Sequence, residues 1–182
     1  MPATATELEL MGELFEYPTA AYRERLAGST AALAEINRAA AERLGAFSDA
    51  IAGFDLAGME ELYIQTFDLN PDACLDIGWH LFGEDYARGE FLVKLRQEMR
   101  RHDIAERDEL PDNLLTVLPL AARMADEEAR EFRAKFLRPA VEKIRNAVPV
   151  ESNPYALLLA ALAELVSVTG DESERPEGRE HD

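Results

Sequence analysis

The sequence predicts an all-α protein, a single irregular helical bundle, and three observations carry that prediction. Apolar residues recur at three- and four-residue spacing along almost the whole chain. No apolar–polar alternation lasts beyond a few residues, so nothing in the sequence suits a half-buried strand. The apolar stripes are interrupted by prolines, glycines and capping residues at helix-sized intervals. With 182 residues and 47% hydrophobic content, the chain can fill one core, and it contains no internal repeat.

Leu8, Met11 and Phe15 share the first face, backed by Leu10 and Leu14, with Glu9, Glu13 and Glu16 opposite. Pro18 punctuates, and a short helix through Tyr22 and Leu26 is expected to end near Gly28. Ser29 then suits the N-cap of a helix striped by Leu33, Ile36, Ala40 and Leu44 and stopped by Gly45. Asp55 can cap the next helix, with Leu56, Met59, Tyr63 and Phe67 at helical spacing. After Pro71, Cys74, Ile77, Gly78 and Leu81 form an apolar face that ends near Gly83.

Residues 84–102 read as a long helix buried through Phe91, Leu95 and Met99. A polar stretch follows, and Pro111 fits the first turn of a helix carrying Leu114, Leu118, Ala121 and Ala125. Phe132, Phe136, Ala140 and Ile144 give another stripe, broken or kinked at Pro139. Asn153 and Pro154 signal the start of an apolar helix over 155–168. The domain is therefore expected to span 1–170, followed by a disordered acidic tail over 171–182.

The formal charge is −17, from 36 acidic and 19 basic residues. That balance argues against nucleic acid and anionic lipid as partners and favours a basic one, unless it serves solubility alone. Between Arg43 and Arg88 no Lys or Arg occurs, whereas Asp49, Asp55, Glu60, Glu61, Asp68, Asp72, Asp76, Glu84 and Asp85 all do. The first seventeen residues carry four glutamates and no basic residue, unlike a secretory signal. The most apolar run, 155–163, is too short to span a bilayer. With a single cysteine, Cys74, the sequence fits a reducing, cytoplasmic setting.

The constellations that enzymes need are missing. There is no G-x-G, no Walker-type loop, and no histidine with glutamate three residues before it. Asp76 and His80 lie at i, i+4, a spacing that suits either acid–base work or a solvated helix contact. No cofactor and no metal ligand set are expected.

The run from Tyr63 to Leu118 contains Tyr63-Ile-Gln-Thr-Phe67-Asp68, Trp79-His-Leu-Phe-Gly83-Glu84, Arg88-Gly89-Glu90 and Glu109-Leu-Pro111-Asp112-Asn113-Leu114. This pattern resembles the NarJ/TorD family of redox-enzyme maturation chaperones, and its nitrate reductase delta-subunit branch in particular. The resemblance is strongest over about residues 60–125. It implies a helical bundle of the TorD/NarJ chaperone type and no catalysis. It further implies a cytoplasmic chaperone that binds the N-terminal segment of a molybdenum-cofactor oxidoreductase catalytic subunit, in some cases one with a twin-arginine export signal. Such a chaperone holds its client until cofactor is inserted, before membrane attachment or export. Monomer and homodimer both remain open. The family usually has histidine where this chain has Asn113, which cannot titrate but can serve as a helix-terminal hydrogen-bonding residue.

Candidate peptide-binding residues are Tyr63, Phe67, Trp79, Asp112, Asn113 and Leu114. Candidate steering residues are Glu60, Glu61, Asp68, Asp72 and Asp76. The aromatic pair suits either the core or an apolar groove, Trp79 either role, and Asp112 either a helix start or peptide capture. A helical adaptor for a folded partner is the second functional class, and a helical-bundle enzyme the third.

Overall fold

The structure is a computed structural model that describes residues 5–167. The acidic tail expected over 171–182 lies outside the described residues, as does Val168. The elements are α1 (Ala5–Leu14), α2 (Tyr22–Ala34), α3 (Arg38–Ala50), α4 (Leu56–Tyr63), the π-helical turn π1 (Ile64–Asp68), α5 (Ile77–Phe82) and α6 (Tyr86–Arg101). They continue with α7 (Leu114–Arg123), α8 (Asp126–Phe132), a second π-helical turn π2 (Arg133–Leu137), α9 (Arg138–Ala147) and α10 (Tyr155–Ser167). The fold is all-α, and no strand occurs among the described residues.

The core is organised around α10, whose Tyr155, Leu158, Leu159, Leu162 and Leu165 are all buried. A helix apolar on nearly every side needs neighbours on nearly every side. Here α3 and α9 pack on it, and α1 touches it while packing chiefly on α7. Leu8, Met11, Leu14 and Phe15 are buried, as their spacing predicts. Asp55 caps α4 by accepting from the Gly58 N–H at 2.8 Å. Gly83, at φ +60°, ends α5.

The expected boundary at Gly28 and Ser29 is wrong. Helix α2 runs straight through both, and the cap of α3 is Asn37, whose side chain accepts from the Ala40 N–H at 3.1 Å. A helical glycine costs only about 1 kcal/mol, too little to end a helix whose Tyr22, Leu26 and Leu33 are buried. For the same reason Gly45 lies inside α3. Pro111 precedes α7 instead of opening it, and Ala125 stands exposed between α7 and α8. Around Pro139 the stripe is kept by π2, which joins α8 to α9 without a break.

Candidate functional site

Three segments meet beside α4, two of them consecutive and the third far along the chain. The first is π1, in which the Leu69 N–H reaches back five residues to the Ile64 carbonyl at 2.9 Å. The second runs from Asn70 to Asp76, folded by a turn in which the Ala73 N–H donates to the Asn70 carbonyl. The third is 109–115. An isolated antiparallel bridge between Asp76 and Asn113 staples the last two. In it the Ile77 N–H donates to the Asp112 carbonyl at 2.8 Å and the Leu114 N–H to the Leu75 carbonyl at 2.9 Å.

Side chains reinforce this staple. Asn113 caps α7 by accepting from the Leu115 N–H at 3.1 Å, and its amide donates to Asp76 Oδ1 at 2.9 Å. A helix-terminal role is thus the one Asn113 fills, and no titrating group is needed for it. Asp112 does not cap α7. It is wholly buried, and its Oδ2 accepts from Arg88 Nε of α6 at 3.0 Å. The same guanidinium donates to Asp76 Oδ2 at 3.3 Å and lies over the Trp79 ring, 5.9 Å from its centroid. Burial pushes the Asp112 carboxyl above its usual range, and Arg88 opposes that shift. Burial also works against the Arg88 charge, but Asp112 and Asp76 outweigh it and leave the guanidinium more firmly protonated.

These segments wall a cleft of about 380 Å³, lined by Tyr17, Tyr63, Phe67, Asp68, Cys74, Leu75, Asp76, Glu109, Asn113 and Leu115. Among the described residues, three that line it are carboxylates and none is basic. Tyr63 and Phe67 are core residues, only 6% and 2% exposed, whose outer edges contribute to the cleft. The Tyr63 hydroxyl donates to the Phe15 carbonyl at 3.0 Å, and the Phe67 ring meets the Tyr155 ring edge-on at 4.8 Å. Tyr17, 42% exposed, crosses Tyr63 edge-on at 5.4 Å and forms part of the rim.

Of the residues singled out from sequence, Tyr63, Phe67, Asp68, Asp76 and Asn113 come together at this cleft. Leu114 is buried in the core, Asp112 lies behind the wall with Arg88, and Trp79 flanks Arg88 without lining the cleft. Glu60, Glu61 and Asp72 are not among the lining residues; Glu61 and Asp72 are exposed and Glu60 half-buried. Sequence reasoning passed over Tyr17, Glu109 and Arg88. The latter two stood within the quoted motifs, and Tyr17 only in the gap after the first helix.

The cleft holds little that could act as a nucleophile. Burial raises the Cys74 thiol pKa, which keeps the thiolate scarce. His80 Nε2 lies 2.7 Å from the Cys74 carbonyl oxygen, and burial lowers its pKa. Asp76 engages Arg88 and Asn113, so the i, i+4 spacing with His80 makes no acid–base pair. Elsewhere Glu98, His102 and Glu128 bring possible ligand atoms within 4.8 Å of one another. The Arg101 guanidinium already bridges those two glutamates at 3.2 and 2.9 Å. The Glu98–His102 pair lies at i, i+4 and so falls outside the Glu-x-x-His spacing.

Among the described residues, no helix is long and apolar enough to cross a membrane. The sequence is 29% identical over 159 residues to the nitrate reductase-like protein NarX of Mycobacterium tuberculosis, in strains CDC 1551 / Oshkosh and ATCC 25618 / H37Rv. The match covers 87% of this chain but 24% of those relatives, so the chain spans about a quarter of their length. Residues 27–161 match the family described as nitrate reductase delta subunit, an interval that contains every wall of the cleft except Tyr17. The chain belongs to the nitrate reductase delta subunit family.

Proposed function

We propose that this protein is a cytoplasmic chaperone that binds the N-terminal segment of the catalytic subunit of a molybdenum-cofactor oxidoreductase. It holds that subunit for cofactor insertion before membrane attachment or export. The segment sits in the cleft between π1 and residues 109–115, with a basic side chain among the carboxylates and apolar side chains against the rim. The observation that carries this reading is the lining itself: Asp68, Asp76 and Glu109 beside two tyrosines, with no basic residue among them. Leu69 and Leu110, 72% and 43% exposed, directly follow two of those carboxylates in sequence and offer apolar contacts beside the charge.

Asp72, Glu60 and Glu61 extend the negative field and steer the segment inward. Trp79, Asp112 and Leu114 support the wall from behind. Titration calorimetry of the protein with the N-terminal peptide of a candidate catalytic subunit tests the reading. The expected result is one site whose affinity falls with added salt, and which is weakened by Asp68→Asn with Glu109→Gln. Binding only to the folded catalytic subunit, and not to the peptide, would make the protein a helical adaptor instead.

A further inference from the structure

Arg88 stands within a family-like motif, yet it lines no part of the cleft. Its side chain is four-fifths buried, and its guanidinium is shared between two carboxylates of unequal standing. Asp112 is wholly buried, whereas the Asp76 side chain is 27% exposed and lines the cleft. Asp76 is therefore the one cleft carboxylate anchored through both oxygens, Oδ1 by the Asn113 amide and Oδ2 by Arg88. Asp68 and Glu109 form no ion pair within 4 Å among the described residues.

We propose that Arg88 is a positioning residue that fixes Asp76 as the specificity-determining carboxylate of the cleft for a cationic side chain. A carboxylate held by two donors keeps its remaining lone pairs aimed in one direction, so an incoming cation meets an acceptor that needs no reordering. The planar fork of arginine suits this task. It reaches Asp112 through Nε and Asp76 through a terminal nitrogen, a span that a lysine ammonium does not reproduce. The Trp79 ring beneath the guanidinium limits the fork's freedom to turn. The inference rests on the proposed cleft for its location, and its test needs no peptide.

The probe is ethylguanidinium, an arginine side-chain mimic, compared with its neutral isostere ethylurea. Binding is followed by NMR of the Asp76 carboxylate and the Asn113 side-chain amide. Wild-type protein is expected to prefer the cation by about tenfold, the scale of one hydrogen bond to a charged group. Arg88→Met alone would strand Asp112 as a buried unpaired charge, so the informative variant is Arg88→Met with Asp112→Asn, which keeps the net charge unchanged. In that variant, and in Asp76→Asn, the preference should fall to within about twofold, while Arg38→Met, an exposed control, leaves it intact.

Arg88→Lys should also lose most of the preference, because it restores charge without the fork. A folded double variant that keeps the wild-type preference would overturn the proposal, as would Arg88→Lys behaving like wild type or a wild type with no preference. A client peptide that fails to bind while the guanidinium preference stands would refute the chaperone reading and leave the role of Arg88 in place.

Discussion

Replacing Gly78 with alanine should destabilise the protein, although the ordinary rule points the other way. Gly78 lies within α5, and alanine in place of a helical glycine normally stabilises by about 0.5–1 kcal/mol. Here the added Cβ would collide with Asp112 Oδ2, the oxygen that holds Arg88, and would press on the Phe91 ring at 3.2 Å. Asp112 is 0% exposed, so displacing it from Arg88 leaves a buried charge without its counter-ion. Losing one partner of a buried pair costs about 3–5 kcal/mol. Setting the helix gain against that loss gives a net destabilisation of about 2–4 kcal/mol. Urea unfolding measures it directly, with Gly89→Ala in α6 as the control. A Cβ at Gly89 meets nothing within 4 Å, so that variant should gain up to about 1 kcal/mol. A Gly78→Ala protein as stable as wild type would show that Asp112 is not held as rigidly as its burial and pairing imply.

Three further outcomes follow from the same geometry. Phe67→Ala should cost about 3–5 kcal/mol of folding stability, because the ring packs against Phe15, Tyr63 and Tyr155; loss of peptide affinity with unchanged melting would refute its core role. Asn113→Ala should cost about 1 kcal/mol or more by urea unfolding, since it removes the α7 cap as well as a donor to Asp76, and Asn113→Asp should keep the cap but repel Asp76. For Asp112, burial raises the folded pKa, so between the unfolded and the folded values the native state binds more proton than the unfolded chain. Its contribution is full below about pH 4 and declines as pH rises through the raised value. Stability measured against pH should therefore lose part of its downward slope in Asp112→Asn, and an identical slope would exclude that linkage.

Periodicity made the helices readable because a helix facing a core must repeat its apolar residues every turn. Leu8, Met11, Phe15 and the α10 leucines were legible for that reason. Boundaries were harder: Gly28 and Gly45 look like stops, yet a stop needs more than the cost of one glycine. The cleft was legible only in part. Tyr63, Phe67, Asp68, Asp76 and Asn113 stood in recognisable motifs, but what each motif residue touches depends on chain crossings that spacing cannot encode. Asp112 illustrates this. Next to Pro111 it reads as a first-turn carboxylate, whereas its partner, Arg88, sits 24 residues away on α6. No local rule links those two positions.

The turn at Ile64–Asp68 also constrains how the length of this segment can vary. Its hydrogen bond closes over five residues, so it holds more chain than an α-helical turn of the same height. Deleting one residue there would let the segment relax into a continuous α-helix. Because the wider turn already holds the extra residue, positions after the deletion would keep about the same angle around the axis. What the deletion would change is the spacing inside the turn, where Phe67 and Asp68 line the cleft. The identity of Phe67 is therefore held more firmly than the length of the segment, and homologous chains should accept loss of an exposed residue such as Gln65 more readily than replacement of Phe67.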